Sequence, residues 1–475
     1  MGKNRTQLAA MIAASLLAGL CQAQAPVNAT PDARAPGDEA VRLLSQYLQI
    51  DTTNPPGNEI LAANFFKAIF DKEGIESRIL ESAPGRASIY ARLKGDGSRK
   101  ALVLLNHMDV VPADKRYWMV EPFGGVVKDG YIWGRGAIDM KGMGIVELMA
   151  MLQLKRRSIP LKGDVIFLGT ADEEAGGNLG AGFIVAKHFD LVKDAAAVIN
   201  EGGGGGGGGN ETAAGRTTYF GIGVAEKTPL WLKLTFTGEP GHGSTPRPDS
   251  SVNKLIRAAN RILAYQPPLE VSDNIQRFFA DTAPFQSTAE QREKHKDLRS
   301  ALKDPAFEAE FSKSIGRNAT VRNTISVTML EASNKVNVIP PEASMQLDVR
   351  LLPGQAPETF LATLRKIIAD DTVKIESTLS FPPSSSPAYG PLPAAIKAVV
   401  NQYEPGAPVT FGVGNGFTDC HFFREKGVPC YGFQPFKYRE GVASGFHGNN
   451  EKLSVDNLKY GTAFMFDLVR RMQAD

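Results

Sequence analysis

Residues 102–109 read LVLLNHMD. Four apolar residues, Leu102 to Leu105, give way abruptly to Asn106, His107 and Asp109. An uncharged apolar run this short predicts a strand buried on both faces, as in a parallel sheet. Such a strand carries His107 and Asp109 to its carboxyl end, where open α/β sheets bind ligands. The two residues are two apart and share a face. A carboxylate there would hold the imidazole in one tautomer while its other nitrogen binds a metal. Alone, the stretch reads equally well as a strand ending in an ordinary polar loop, so the rest of the chain has to decide.

The pattern recurs. Asp164–Gly169 (DVIFLG) predicts a second buried strand, which runs into Thr170-Ala171-Asp172-Glu173-Glu174. Ala195–Ile199 predicts a third, ending in Asn200-Glu201. Between the first two, GRGAIDMKG (134–142) feeds a helix over about 142–155 that is apolar on most sides. Asp139 stands just before it, where a carboxylate is also a plain helix N-cap. Upstream, amphipathic helices are expected from near Asp38 (Val41, Leu44, Tyr47 and Leu48 inward) and over Glu59–Glu73, separated by the breaker TTNPPG (52–57). Strands follow near Glu76–Leu80 and Ala87–Arg92. His447 lies in GFHGNNE (445–451), a loop before the last helix.

From Leu230 the order changes. Strand 230–237, helix 248–263, strands 323–331 and 343–351, helix 357–368 and strand 372–379 make a βαββαβ series, the ferredoxin-like pattern. Residues 270–320, polar and partly helical, interrupt it, and PPSSSP (382–387) marks the return. A helix near 394–403 and a strand near 428–433 complete the first domain. The fold class is therefore α/β, with a ferredoxin-like domain inserted into the first domain.

At 475 residues two domains are the default. The formal charge is +2, from 53 basic and 51 acidic residues that are scattered and not clustered. Nothing points to nucleic acid or an anionic membrane surface. Lys3 and Arg5, the apolar segment Leu8 to Leu20, and small residues Ala23 and Ala25 form the pattern of a secretory signal peptide over 1–25. The mature protein is expected outside the cytoplasm, periplasmic in a Gram-negative source, with no membrane span. Its two remaining cysteines, Cys420 and Cys430, are permitted a disulfide there, though sequence leaves the pairing open. Gly202–Gly209 is an unbroken glycine run, read as a flexible loop; a phosphate cradle would need a following Lys-Ser/Thr and helix.

Two imidazoles (His107, His447) and three carboxylates without a thiolate suit borderline divalent ions, zinc first. Five donors exceed the three of a single catalytic zinc and match two ions sharing a bridging carboxylate and a water. Glu173 and Glu174 are adjacent and cannot easily fill one ligand position. One ligand and one general base is the economical division.

With these motifs in order, NHMDVVP (106–112), GRGAIDMKG (134–142), ADEEAGG (171–177), NEG (200–202), GHGSTP (241–246) and FHGNNE (446–451), the chain resembles the dinuclear-zinc amidohydrolases and exopeptidases. That family includes acetylornithine deacetylase, succinyl-diaminopimelate desuccinylase, aminoacylase and carboxypeptidase S. The resemblance covers nearly the whole mature chain. It implies a zinc-exopeptidase-like catalytic domain over 36–227 and 383–475 and a lid and dimerisation domain over 228–382. It implies His107, Asp139, Glu174, Glu201 and His447 as ligands of two metal ions, with Asp139 bridging; Zn2+ is expected, with Co2+ or Mn2+ as alternatives. Glu173 is implied as general base, Asp109 as the residue orienting His107, and His242 as an oxyanion-stabilising group, often supplied across a homodimer. Asn337 and Arg350 are implied to bind the substrate carboxylate, Arg by its two-pronged geometry. A cis Asp139–Met140 peptide is also expected. Asn106, where many members have Gly, and the long segment 270–320 place the chain nearest the carboxypeptidase S-like branch.

The implied function is a metal-dependent hydrolase that cleaves a peptide or N-acyl amide bond next to a free carboxylate, of carboxypeptidase or dipeptidase type. The alternative is an N-acyl amino acid deacylase of aminoacylase type. A periplasmic binding protein that kept the fold and lost its chemistry would be marked by a missing Glu173 or ligand, and neither is missing. The bland readings are a turn residue for His242 and a surface ion pair for Arg350; Asp419, after Thr418, reads equally as a residue lining the site and as one stabilising a turn.

Overall fold

The computed structural model describes residues 36–203, 209–211, 219–439 and 445–475. The expected signal peptide and Gly204–Gly208 lie outside them. An eight-stranded mixed sheet forms the centre, in the order Glu76–Ala83, Arg86–Leu93, Val165–Thr170, Ala101–His107, Ala195–Asn200, Cys430–Gly432, Phe220–Glu226, Val409–Gly414. The strand Ala101–His107 is parallel to both neighbours, Val165–Thr170 and Ala195–Asn200. The three predicted buried strands are thus adjacent, and their carboxyl ends emerge side by side.

Alternation along these strands divides the core. Leu102, Leu104, Val165, Phe167 and Ile199 face one layer with the helices Pro36–Leu48, Ile60–Lys72, Lys141–Arg156, Pro391–Tyr403 and Val455–Gln473. Val103, Leu105, Ile166, Leu168 and Val198 face the other, with Ala181–Lys187 and Cys420–Glu425. A strand covered on both faces has no need of polar residues, hence the unbroken apolar runs. The helix Lys141–Arg156 is buried from Lys141 to Leu154, as its all-round apolarity predicts.

The strands Thr228–Thr237, Thr324–Glu331, Glu342–Leu351 and Lys374–Ser380 form a separate antiparallel sheet, with Glu342–Leu351 and Thr228–Thr237 central. Helices Ser251–Ala264 and Pro357–Ile368 close its core. The segment 270–320, expected to be only partly helical, carries five short helices between Asp273 and Thr320. Each begins at a side-chain N-cap, respectively Ser272, Thr288, Asp297, Asp304 and Ser314. Although it falls within 228–382, this segment packs against the edge of the large sheet. Ile275, Phe279, Leu298, Phe307 and Phe311 cluster with Ala225 and Val413.

Asp139 is not the N-cap of its helix. That position is Met140, with no side-chain cap bond, so the carboxylate is left for other partners. The Asp139–Met140 peptide is cis, as expected. Cys420 and Cys430 form a disulfide between the helix Cys420–Glu425 and the strand Cys430–Gly432. Among the described residues no helix is long and apolar enough to cross a membrane.

Candidate metal centre and active site

The carboxyl ends of the three parallel strands, the turn before Lys141–Arg156 and the loop before Val455–Gln473 converge on one cleft of about 720 Å³. Asp139, Glu173, Glu174, Glu201 and His447 line it. Donor atoms of His107, Asp139 and Glu201 lie within 4.8 Å of one another, as do those of Asp139, Glu174 and His447, and those of His107, Glu173 and Glu174. Asp139 joins the first two groups through different oxygens. Its Oδ1 is 3.1 Å from His107 Nε2, and its Oδ2 is 3.2 Å from His447 Nε2. This is the disposition of a carboxylate shared between two cations. His107 Nε2 also lies 3.4 Å from Glu201 Oε1, and His447 Nε2 lies 3.0 Å from Glu174 Oε2.

The tautomer of His107 follows from its other nitrogen. Nδ1 lies 3.0 Å from the backbone carbonyl oxygen of Asp109, which can only accept, so Nδ1 carries the proton and Nε2 is directed into the site. The Asp109 carboxylate is farther from Nδ1, at 3.5 Å. Its oxygens instead accept the backbone N–H groups of Glu173 and Glu174 and the side-chain amide of Asn54. Asp109 therefore orients the imidazole mainly through its carbonyl, and its carboxylate anchors the turn bearing Glu173 and Glu174.

Electrostatics fit this donor set to cations. Burial opposes charge on His107, yet Glu201, Asp109 and Asp139 raise its pKa well above the ordinary value. Hydrogen bonds to Asp139 and Glu174 push His447 up to about 10. Burial and then neighbouring carboxylates raise Glu173 and Glu201 well above the carboxylate range. Glu174 Oε1 is buried without a hydrogen-bond partner. Converging buried carboxylates are costly unless a cation compensates them, and two imidazoles with these oxygens form a hard-to-borderline set suited to two divalent ions.

Glu173 is buried and directly follows Asp172, which takes the left-handed conformation at φ 72°. Arg86 Nη2 and the backbone N–H of Leu179 hold the two oxygens of Asp172, each within 2.9 Å. Glu59 accepts two further hydrogen bonds from Arg86, both 2.8 Å. A non-glycine residue in this region costs about 1–3 kcal/mol and persists only when its surroundings over-determine it. Here a buried Glu59–Arg86–Asp172 chain supplies that constraint.

The opposite wall of the cleft comes from the second sheet and the segment 414–418. Arg350 lines it, bound to Asp348 through Nε at 2.6 Å and Nη2 at 3.0 Å. Its guanidinium lies 5.0 Å from the Phe417 ring and 5.9 Å from that of Trp231, both of which also line the cleft. Gly432 lets two backbones meet: a Cβ there would fall 2.6 Å from the Glu201 carbonyl oxygen.

His242 and Asn337 are placed differently. His242 sits on an exposed two-stranded ribbon, Gly241–His242 paired with Val338–Ile339, and Asn337 flanks the same ribbon. Neither lines the cleft that holds Arg350 and Glu173. Asp419, which the sequence leaves between lining the site and stabilising a turn, is buried and accepts from Thr170 Oγ1 at 2.7 Å; burial raises its pKa to about 7. Asn54, Arg86, Asp172 and Glu451 also escaped sequence reading. Asn54 stood in the breaker TTNPPG, and Glu451 ended the motif FHGNNE.

The family model described as peptidase family M20/M25/M40 matches residues 103–471. N-fatty-acyl-amino acid synthase/hydrolase PM20D1 of Bos taurus is 30% identical over 428 residues, 86% of this chain and 82% of that protein. Aminoacylase-1 of Sus scrofa is 27% identical over 422 residues, 87% of this chain and 90% of that protein. The crystal structure of the M20 family metallo-carboxypeptidase Sso-CP2 from Sulfolobus solfataricus superposes with a TM-score of 0.71 at 20% identity, covering 92% of this chain and 99% of that one.

Proposed function

The chain belongs to peptidase family M20/M25/M40, and from that premise we propose that it is a dinuclear, zinc-dependent exopeptidase or amidohydrolase that cleaves a peptide or N-acyl amide bond adjacent to a free carboxylate. The observation that carries this reading is the pairing, across one cleft, of the metal-class donors and Glu173 with the cation of Arg350. His107, Asp139 and Glu201 would hold one ion, and Asp139, Glu174 and His447 the other. Two such ions, when bound, polarise the scissile carbonyl and acidify a water. Glu173 accepts the proton of the attacking water as the C–O bond forms, then delivers it to the amide nitrogen as the C–N bond breaks. Arg350, fixed by Asp348 and flanked by two rings, offers its remaining N–H groups to the substrate carboxylate.

His242 and Asn337 enter this reading through a second copy of the chain, whose ribbon would complete the site as an oxyanion donor and a carboxylate ligand. The location is extracytoplasmic; the charged, apolar and small residues of 1–25 and the Cys420–Cys430 disulfide support it.

The test is a panel of free-acid dipeptides and N-acyl amino acids, each paired with its carboxamide, assayed on zinc-loaded protein with and without chelator. Chelator-sensitive cleavage of the free acids alone is expected. Equal cleavage of the carboxamides would remove Arg350 from substrate binding, and chelator-resistant cleavage would refute the metal chemistry. Between the two substrate groups, the relative kcat/KM decides peptidase against deacylase.

A further inference from the structure

Glu451 is a carboxylate with no solvent exposure, and four donors close on it. Its Oε1 accepts the backbone N–H of Ile138 at 2.7 Å and of Asp139 at 3.1 Å. Its Oε2 accepts the backbone N–H of Gly136 at 2.9 Å and Arg135 Nη1 at 2.7 Å. Arg135, also buried, turns its Nη2 to the carbonyl oxygen of Gly448 at 2.9 Å. The backbone N–H of Gly134 bonds the Glu451 carbonyl oxygen at 3.0 Å. One acid and one guanidinium therefore clamp two loops together: 134–140, which presents Asp139, and 445–451, which presents His447.

The two groups of donors depend on this clamp unequally. His107 and Glu201 stand at the ends of strands held by ladder hydrogen bonds to their neighbours. His447 has no such frame. It lies in a loop at φ 56° with its side chain half exposed, and Arg135 holds the next residue, Gly448. Moving loop 445–451 against loop 134–140 changes the distance from His447 Nε2 to Asp139 Oδ2, 3.2 Å here, while the 3.1 Å contact of His107 with Asp139 Oδ1 changes far less.

We propose that Glu451, acting with Arg135, is a positioning residue for Asp139 and His447, and that it sets the affinity of the metal position made by Asp139, Glu174 and His447 in preference to the one made by His107, Asp139 and Glu201. The inference rests on the two-metal reading above. Outer partners of metal ligands are typically worth about 10–100-fold in affinity. The isosteric Glu451→Gln exchanges one acceptor oxygen for an N–H group that would face donors.

The experiment titrates metal-free wild type, Glu451→Gln and Arg135→Lys with CoCl2, following visible absorption and calorimetric stoichiometry, with circular dichroism as the folding control. Wild type is expected to bind two equivalents. In Glu451→Gln the first equivalent keeps its affinity within about threefold and the second weakens by about 10–100-fold with an altered spectrum. Should Glu451→Gln fail to fold, Arg135→Lys decides, since it keeps the charge and the backbone bonds to Glu451 but loses the fork reaching Gly448; a selective loss at the second equivalent is again expected. Equal weakening of both equivalents, or none, overturns the proposal. A single equivalent in wild type would instead refute the two-metal reading, and this inference with it.

Discussion

The Oδ1 atom of Asp109 accepts the backbone N–H of Glu173 at 3.1 Å. The same carboxylate takes the N–H of Glu174 at 3.1 Å on Oδ2, so the backing of His107 and the placement of the proposed base are one structure. Asp109→Asn sets an amide N–H against one of those backbone donors. The expected result is a fall of about 10–100-fold in kcat/KM, measured by initial rates with bound metal quantified alongside. An unchanged rate would show that the carbonyl of Asp109 suffices.

Glu173→Gln keeps the size of the side chain and removes its proton-accepting oxygen. Turnover should fall by at least about 10²–10⁴-fold, the range of general acid–base catalysis, while both metals stay bound. Steady-state kinetics with elemental analysis of the same sample checks this. Wild-type rates would remove Glu173 as base, and loss of one metal would recast it as a ligand beside His107 and Glu174, a grouping the geometry also contains.

His242→Ala should lower kcat by about 10²–10³-fold, as removal of an oxyanion donor does. Because His242 lies on an exposed ribbon outside the cleft, the decisive measurement is complementation. Mixed with Glu173→Gln, the impaired His242→Ala protein should regain activity, each chain supplying what the other lacks. No recovery, with dimers present by sedimentation, would place His242 outside catalysis.

His295 predicts a stability effect independent of the active site. Its ring is fully buried among Phe279, Phe307 and Phe311, with neither nitrogen hydrogen-bonded. Burial, reinforced by Arg317, lowers its pKa from 6.5 to about 4. The unfolded chain then binds the proton first, so this residue's contribution is full above about pH 6.5 and is lost progressively as pH falls toward 4. Denaturant titrations from pH 7 to 4 should show a shallower decline for His295→Leu than for wild type. Parallel declines would exclude the residue.

The strand ends were legible because two covered faces demand apolar residues, which makes the first polar residue conspicuous: His107, Glu173 and Glu201 were all found this way. The strands Phe220–Glu226 and Val409–Gly414 were not, because FGIGVAE and VTFGVG interleave glycines that dilute the strand signal. Those glycines belong to backbone packing beside the cleft, where Gly223 approaches Gly203. Spatial partition was equally hidden. Arg350 and Asn337 looked alike as candidates, but only the register of Glu342–Leu351 against Thr228–Thr237 shows that Arg350 faces the cleft while Asn337 belongs to the ribbon. Glu451 and Arg135 escaped because their role is to hold backbone atoms, and a side chain's backbone partners leave no spacing rule in sequence.

The strand Cys430–Gly432 is inserted between Ala195–Asn200 and Phe220–Glu226, although it is among the last strands of the chain. A ribosome delivers residues in order, so the growing polypeptide carries an unfilled slot in its main sheet until residues 430–432 have been made. The apolar flanks of that slot are a nascent-chain hazard of the kind chaperones shield. His447 arrives later still, so the complete donor set is assembled only after residue 447 has been made. Filling of the position made by Asp139, Glu174 and His447 would therefore follow that of the position made by His107, Asp139 and Glu201, whose donors are all made by residue 201.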